Sequence, residues 1–294
     1  MLRSVAVSRP KSKAEAVELK ARHGERARYW AGGTDLYLLM ERRGLDFDHC
    51  IDLSTASGLK GITEDKTHLS LGAMTSLAQV ERAFVGHRDY SILSRTVKLM
   101  CTPQTRTLAT IGGNMCHAAP SADLAPALIA LDAEAVIAGS EGQRIIPLAD
   151  FFRHVNKTAL AGAELLEAIR LPKPSSRMGA DYHRVARTVV DIALVSSGVC
   201  LHAGKDGRIH SARIVLGAVA PTPVRASAAE SLLMGKHLAD LARPELLASV
   251  GEAAAAASMP ITDIRGSEWY RRRMCDVLTR RALSSSRIQI EEAR

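Results

Sequence analysis

The chain has 294 residues, 47% hydrophobic and 24% charged, with 39 lysines and arginines against 31 acidic residues and a net charge of +8. This is globular composition, enough for one large domain or two to three smaller ones. The longest apolar run falls far short of the ~20 residues of a membrane span, so no membrane crossing is expected. The basic N-terminal stretch "MLRSVAVSRPKSKAEAVELK" lacks the apolar core and small-residue cleavage site of a secretory signal, which makes the cytoplasm the expected location. Cys50, Cys101, Cys116, Cys200 and Cys275 are odd in number, widely spaced and never CxxC. They read as reduced thiols, with neither a disulfide framework nor a zinc site.

In chain order, "SKAEAVELKARHG" has helical spacing with Ser12 as N-cap and Gly24 as C-cap, and feeds the strand-like "ARYWAGG". "TDLYLLMERRG" resumes a helical pattern, and "DHCIDLS" reads as a short buried strand. From residue 57 two short strands joined by a polar turn precede the helical "SLAQVERAF" and "SILSRTVKLM". "ADLAPALIALDAEAVIAG" passes from a helix with Pro126 early in it to a strand, and "GQRIIPLADFF" and "ELLEAIRLP" carry further strand and turn signals. The Pro/Ser/Gly-rich "LPKPSSRMGADYH" has the composition of a domain linker. Three strands follow in "DYHRVAR", "IALVSSGVCLHAG" and "RIHSARIVLGAV", with "GKDG" fitting a hairpin turn between the last two. "VRASAAESLLMG" and the alanine-rich "ELLASVGEAAAAASM" favour helix.

Near the end, Arg265, Arg271, Arg272, Arg273, Arg280 and Arg281 crowd one stretch. A nucleic-acid surface would interleave aromatics, which are only 4% of the chain. The solvated or partner-facing side of a terminal helix is the favoured reading.

Two double-glycine segments stand out, "WAGGTDLYLLM" and "TIGGNMCHAAPSADLAPALIALDA". In each, the glycines read as following a strand and preceding a helix or turn. Glycine lacks Cβ and tolerates positive φ, so such loops can turn several backbone N–H groups onto one anion. Gly32–Gly33 and Gly112–Gly113 are thus placed to grip a pyrophosphate from two sides. Thr34, Asp35, Thr110 and Asn114 supply hydroxyl and amide groups suited to phosphate and ribityl oxygens. Asp123, repelled by phosphate, belongs near sugar hydroxyls or ring N–H donors. One such pair alone is more often a tight turn, and neither loop is GxGxxG or GxxxxGK[ST]; two loops with the same polar neighbours point to a dinucleotide cofactor.

"AGGTDL" with "LGAMTSL", "RTLATIGGN", "SADLAPALIALDA", "ELLEAIRLP" and "RTVVDIALVSSGV", in this order over nearly the whole chain, resembles the FAD-binding subunit of the molybdenum hydroxylases. That family includes xanthine dehydrogenase, the medium subunit of aerobic carbon monoxide dehydrogenase, and the flavin subunits of aromatic-CoA and N-heterocycle dehydrogenases. The resemblance implies an α+β chain: a two-part FAD-binding α/β domain of the PCMH/VAO type over residues 1–56 and 57–174, then a small C-terminal domain of antiparallel strands and helices over 175–294. It maps the FAD pyrophosphate onto Ala31, Gly32, Gly33, Thr34 and Asp35 and onto Thr110, Ile111, Gly112, Gly113 and Asn114, and adds Leu36, Ala73 and Thr75 to the cofactor-binding set. It places Asp123 by the flavin's polar edge or ribityl chain, Leu166 against the isoalloxazine, and Arg184 at a position basic in xanthine dehydrogenase. Met100 stands where xanthine dehydrogenase stacks an aromatic on the flavin, and Ile192 replaces a tyrosine that some bacterial relatives lay over the ring.

The function so implied is electron exit: FAD on this chain accepts electrons from [2Fe–2S] clusters on a small subunit, which draw them from a molybdenum cofactor on a large subunit, and passes them to NAD+, oxygen, a quinone or another acceptor. A heterotrimer or a dimer of heterotrimers is expected, with no metal and no catalytic side chain on this chain. Cys116 stands alone, leaving no cysteine set for an extra cluster, and His117 is expected to be structural. The rival readings are a stand-alone FAD-dependent oxidase or dehydrogenase of the same fold, and a basic, flavin-free scaffold or nucleic-acid binder.

Overall fold

The computed structural model describes residues 4–43, 45 and 47–292. Gly44, the last residue of the helical reading "TDLYLLMERRG", lies outside the described residues. Two compact units emerge, and the chain passes between them more than once. The first comprises the described residues up to Val80 with Thr102–His117 and Ala133–Leu171; the second comprises Glu81–Cys101, Ala118–Asp132 and the described residues from Pro172 onward.

In the first unit the Lys13–His23 helix starts where the Ser12 hydroxyl accepts from the Glu15 amide, while the Glu15 carboxylate accepts from the Lys11 amide. It stops at Gly24, whose φ of 55° combined with a ψ of −136° is a conformation that favours glycine. The helix buries Ala16 and Val17 against Ala27, Ile51, Leu53 and Leu59. Truncating a fully buried side chain such as Ile51 to alanine costs about 2–5 kcal/mol. Behind it, Ala6–Ser8, His49–Asp52 and Ala27–Trp30 form a parallel sheet in that order. A second, five-stranded sheet runs Ile62–Glu64, His68–Gly72, Leu165–Pro172, Glu134–Gly139, Gly142–Pro147, with the final three strands antiparallel.

One element differs from expectation. The second glycine pair does not follow a strand: Pro103–Leu108 is a helix, and Gly112 and Gly113 lie inside a further short helix, Ile111–His117. Ile111 and Met115 are its fully buried anchors, one turn apart.

The second unit is an antiparallel sheet, Arg177–Val185, Val195–Ala203, Ile209–Gly217, Val224–Arg225, with helices on both faces. Val195–Ala203 is buried along nearly its whole length, as a strand covered on both sides must be. Val199 and Leu201 pack with Ala282, Leu283 and Ile290 of the long Glu268–Glu292 helix. On the opposite face the Leu124–Ala130 helix approaches so closely that a Cβ on Gly198 would stand 2.8 Å from the Pro126 carbonyl oxygen. The helical reading of "VRASAAESLLMG" shortens to Ser227–Ser231, whereas the alanine-rich segment is helical over Pro244–Ala257. The arginine-rich stretch does form a terminal helix, but its charges are largely neutralised from within. Arg271 reaches Asp263, Arg272 reaches Glu268, and Arg273 and Arg280 share Asp276.

Candidate functional site

The first unit contains a cavity of about 530 Å³. The strand Ala27–Trp30 delivers the chain to its edge, and the next residues turn along its wall before the Leu36–Arg43 helix begins. The turn requires Gly33, whose φ is +71°, and the absence of a side chain on Gly32, where a Cβ would fall on the Leu108 carbonyl. Among the described residues, the backbone amides of Gly32, Gly33, Thr34 and Asp35 have no hydrogen-bond partner in the protein. All four residues line the cavity. Consecutive unpaired amides ahead of a helix form an anion-binding concavity, and the helix dipole adds to it.

The second glycine pair works differently. The Gly112 amide donates to the Ala73 carbonyl at 2.8 Å, the Gly113 amide to the Thr110 hydroxyl at 3.0 Å, and the Asn114 amide to the Thr110 carbonyl at 3.0 Å. These amides are committed to holding the short helix in place. Gly112 allows the close approach, since its Cβ would lie 2.7 Å from the Ala73 carbonyl oxygen. Gly113 has no positive φ, so its role is spatial: a Cβ there would meet the Thr110 hydroxyl at 2.9 Å and the Ala31 methyl at 3.8 Å. What this side offers a ligand is the Asn114 side chain. Its Oδ1 is buried and has no hydrogen-bond partner among the described residues. A buried acceptor left open is costly, and a sugar hydroxyl is a donor that satisfies it. Four open amides for phosphate and one open acceptor for a hydroxyl fit the two chemistries of a dinucleotide.

The cavity wall is set by strong local bonds. Glu164 accepts a bidentate pair from Arg144 at 2.6 and 2.7 Å and a third bond from the Ala161 amide. The Arg144 contact, opposed by burial, holds its carboxyl below the usual range. Lys20 donates to the carbonyls of Gly24 and Ala27, and burial beside the Arg28 charge lowers its pKa. Burial raises the Tyr29 hydroxyl, which donates to the Ala163 carbonyl at 2.7 Å.

The second unit holds a buried polar cluster of its own. The Asp123 carboxylate accepts from the Tyr182 hydroxyl at 2.5 Å and from Arg184 at 3.0 Å, and Arg184 also donates to the Val189 carbonyl at 2.7 Å. Burial pushes the Asp123 carboxyl up, while Arg184 and Tyr182 pull the other way. Both charges of the pair are under a tenth exposed. Among the described residues no group of His, Cys, Asp and Glu is arranged to hold a metal ion.

A family model described as the FAD binding domain in molybdopterin dehydrogenase matches residues 3–174, and one described as the CO dehydrogenase flavoprotein C-terminal domain matches residues 180–286. The chain belongs to the FAD-binding subunit family of the molybdenum hydroxylases. The carbon monoxide dehydrogenase medium chain of Afipia carboxidovorans is 35% identical over 283 residues, with 95% of each chain covered. The xanthine dehydrogenase FAD-binding subunit of Escherichia coli O157:H7 is 28% identical, with 93% of this chain and 92% of that one covered. Among solved structures, reconstituted CO dehydrogenase from Oligotropha carboxidovorans matches with a TM-score of 0.92 at 34% identity over 98% of this chain and 99% of that one. Quinoline 2-oxidoreductase from Pseudomonas putida 86 matches with a TM-score of 0.90 at 27% identity over 99% of both. This flavoprotein is thus an oxidoreductase subunit with the mixed α and β architecture expected of that family. None of its described helices is long and apolar enough to cross a membrane.

In this FAD-binding subunit, Ala31 to Leu36, Ala73, Thr110, Gly112, Gly113, Asn114 and Leu166 line the one cavity. Thr75 and Ile111 lie behind that lining: the Ile111 amide donates to the Thr75 carbonyl, and the Thr75 hydroxyl is bonded to the backbone of Gly61. Met100, Asp123 and Arg184 belong to the second unit. Sequence reasoning missed Arg28, Leu39, Leu53 and Asn156, which also line the cavity. A cation inside the strand "ARYW" was a legible signal for Arg28; nothing local marked the leucines.

Proposed function

We propose that this chain holds FAD in the cavity of its first unit and acts as the electron-exit subunit of a molybdenum-containing hydroxylase or dehydrogenase. Its partners in this reading are a large molybdopterin-binding subunit and a small [2Fe–2S] subunit, in a heterotrimer or a dimer of heterotrimers working in the cytoplasm. Electrons arrive from the iron–sulfur clusters and leave to NAD+, oxygen, a quinone or another external acceptor.

The observation that carries this reading is the row of open amides from Gly32 to Asp35 along the cavity. Bound FAD supplies the one- and two-electron chemistry, and the chain supplies binding and orientation. The four amides would hold the pyrophosphate, with each charge-assisted bond worth about 1.5–3 kcal/mol. Asn114 would fix a sugar hydroxyl through its open Oδ1. Leu166, buried to 2% exposure on the cavity wall, excludes water beside the ring. For Met100, Asp123 and Arg184 the cofactor role is the proposal that the resemblance carries. No side chain has to act as nucleophile or acid–base group.

The test is an absorption spectrum of the purified chain, followed by heat release and chromatographic identification of the flavin. Stoichiometric FAD, with molybdenum and iron recovered only when the other subunits are co-purified, is the expected outcome. A chain that takes up no flavin on reconstitution refutes the proposal.

A further inference from the structure

Open amides explain how the cavity of the first unit directs hydrogen bonds at an anion, but not what balances its charge. A row of amides presents partial positive charge and no net charge, whereas each phosphate of a dinucleotide brings a full negative charge into a partly enclosed space, where an unbalanced charge is costly. Among the described residues, the Lys, Arg, Asp and Glu side chains that line the cavity are Lys20, Arg28, Asp35 and Glu164. Glu164 is held in a bidentate pair by Arg144, and Asp35 is exposed to solvent. The Lys20 ammonium is spent on the carbonyls of Gly24 and Ala27, where it closes the end of the Lys13–His23 helix. Arg28 is the partly buried charge that nothing balances. It has no carboxylate partner among the described residues, and its one side-chain hydrogen bond, from Nη1 to the Ala27 carbonyl, is long at 3.5 Å.

The position of Arg28 ties it to the turn that carries the open amides. Side chains alternate along the strand Ala27–Trp30, so Arg28 and Trp30 share one face, about 7 Å apart along the strand, while Ala27 and Tyr29 turn the other face to the core. The Trp30 ring packs against Gly33 and fills the space a Cβ there would take. Arg28 therefore stands on the strand face whose next ring backs the turn, and it lines the same cavity. Its charge also helps to lower the pKa of Lys20, so the two cations repel each other. An anion bound in the cavity offsets that repulsion.

We propose that Arg28 is the counter-charge for the cofactor's pyrophosphate and the side chain by which this cavity prefers FAD to a flavin that lacks a diphosphate. This deepens the FAD-binding reading and rests on it. A guanidinium suits the task because it stays charged at any working pH and presents a planar fork of N–H donors to phosphate oxygens. The amides of Gly32 to Asp35 fix where the diphosphate lies, and Arg28 balances its charge over a longer range.

The experiment titrates the flavin-free full chain with FAD and with riboflavin at low and high ionic strength, for the wild type, Arg28→Gln, Arg28→Lys and Lys20→Gln. Arg28→Gln is expected to weaken FAD binding about tenfold at low salt, to leave riboflavin binding at the wild-type level, and to make FAD affinity less sensitive to salt. Arg28→Lys is expected to keep the salt dependence and to bind FAD with an affinity between the other two. Lys20→Gln is expected to lower the melting temperature, because the helix loses its cap, while the ratio of FAD to riboflavin affinity holds. Unchanged FAD affinity and salt dependence in Arg28→Gln overturn the proposal. So does an equal loss of both flavins in that variant, which would make Arg28 a support of the strand. A fall in the ratio for Lys20→Gln as large as that for Arg28→Gln also overturns it, because the effect would then be one of general positive charge. A wild-type chain that binds neither flavin refutes the FAD-binding reading itself, and the Arg28 proposal falls with it.

Discussion

The loop at Gly32–Asp35 and the cluster around Asp123 are both polar constellations at positions the family resemblance singles out, yet they are built on opposite principles. In the first, four successive backbone amides have no partner in the protein and stand along a cavity. In the second, the Asp123 carboxylate is buried and already bonded to Tyr182 and Arg184, and Arg184 is bonded onward to Val189. Open donors held by a rigid turn are ready for a ligand, because no internal bond must break on binding. Satisfied donors and acceptors hold the fold together, and removing one of them leaves another buried and unpaired. Being polar and near a motif does not separate the two cases; the hydrogen-bond inventory does.

The largest expected effect is on the open side. Gly113→Val wedges two methyl groups between Thr110 and Ala31 and is expected to abolish FAD retention, measured as flavin released per chain. Far-UV circular dichroism should stay near that of the wild type. Full occupancy in this variant would mean that the cofactor does not occupy the space beside Gly113 and Ala31.

On the closed side, Asp123→Ala leaves Arg184 buried without its carboxylate. Breaking such a pair costs about 3–5 kcal/mol of stability, read in a denaturant titration, while flavin affinity should fall less than in Gly113→Val. If flavin is lost and stability is unchanged, Asp123 serves the ligand and not the fold, and the contrast between the two regions collapses.

Asn114→Ala probes the one open side-chain acceptor. Loss of a single hydrogen bond of about 1–1.5 kcal/mol predicts FAD binding weakened roughly tenfold by isothermal titration, with no change in melting temperature beyond that due to ligand occupancy. An unchanged affinity would remove Asn114 from the site.

The smallest effect concerns an anion the chain already holds by the same means. The Asp65 carboxylate accepts from the amides of Thr67 and His68 and from the Thr67 hydroxyl, which together pull its pKa down to about 2. Because the folded value lies below the ordinary carboxylate value, its stabilisation is fully present above that ordinary value and is lost as pH falls through about 2. A carboxyl resonance titrating at the ordinary position near 4 would show that amides arranged in this way do not grip an anion here.

Much of this was legible in the residues. Gly32–Gly33 with Thr34 and Asp35 identified the open loop because a positive φ and a close backbone contact both demand glycine. The Ser12 cap, the Gly24 stop and the strand signal in "ELLEAIRLP" placed their elements for equally local reasons. The second pair was recognised as a contributor but misread as a post-strand loop. Two glycines are poor helix formers and hid the Ile111/Met115 repeat; the contact that stabilises the helix is with the Ala73 backbone, far away in the chain. The Asp123–Tyr182 bond and the clustering of 118–132 with the C-terminal strands depend on space left by Gly198 beneath Pro126, a tertiary fact with no local pattern. Residue types also cannot show which amides are left unpaired, and the contrast between the two regions rests on that.

The most direct test of that contrast is to titrate the flavin-free chain with FAD and, separately, with riboflavin, which carries the same ring and ribityl chain but no pyrophosphate. Two or more charge-assisted bonds from the Gly32–Asp35 amides predict one FAD per chain, bound at least about 100-fold more tightly than riboflavin. Equal affinities would contradict the account, because the open amides would then not be what holds the cofactor.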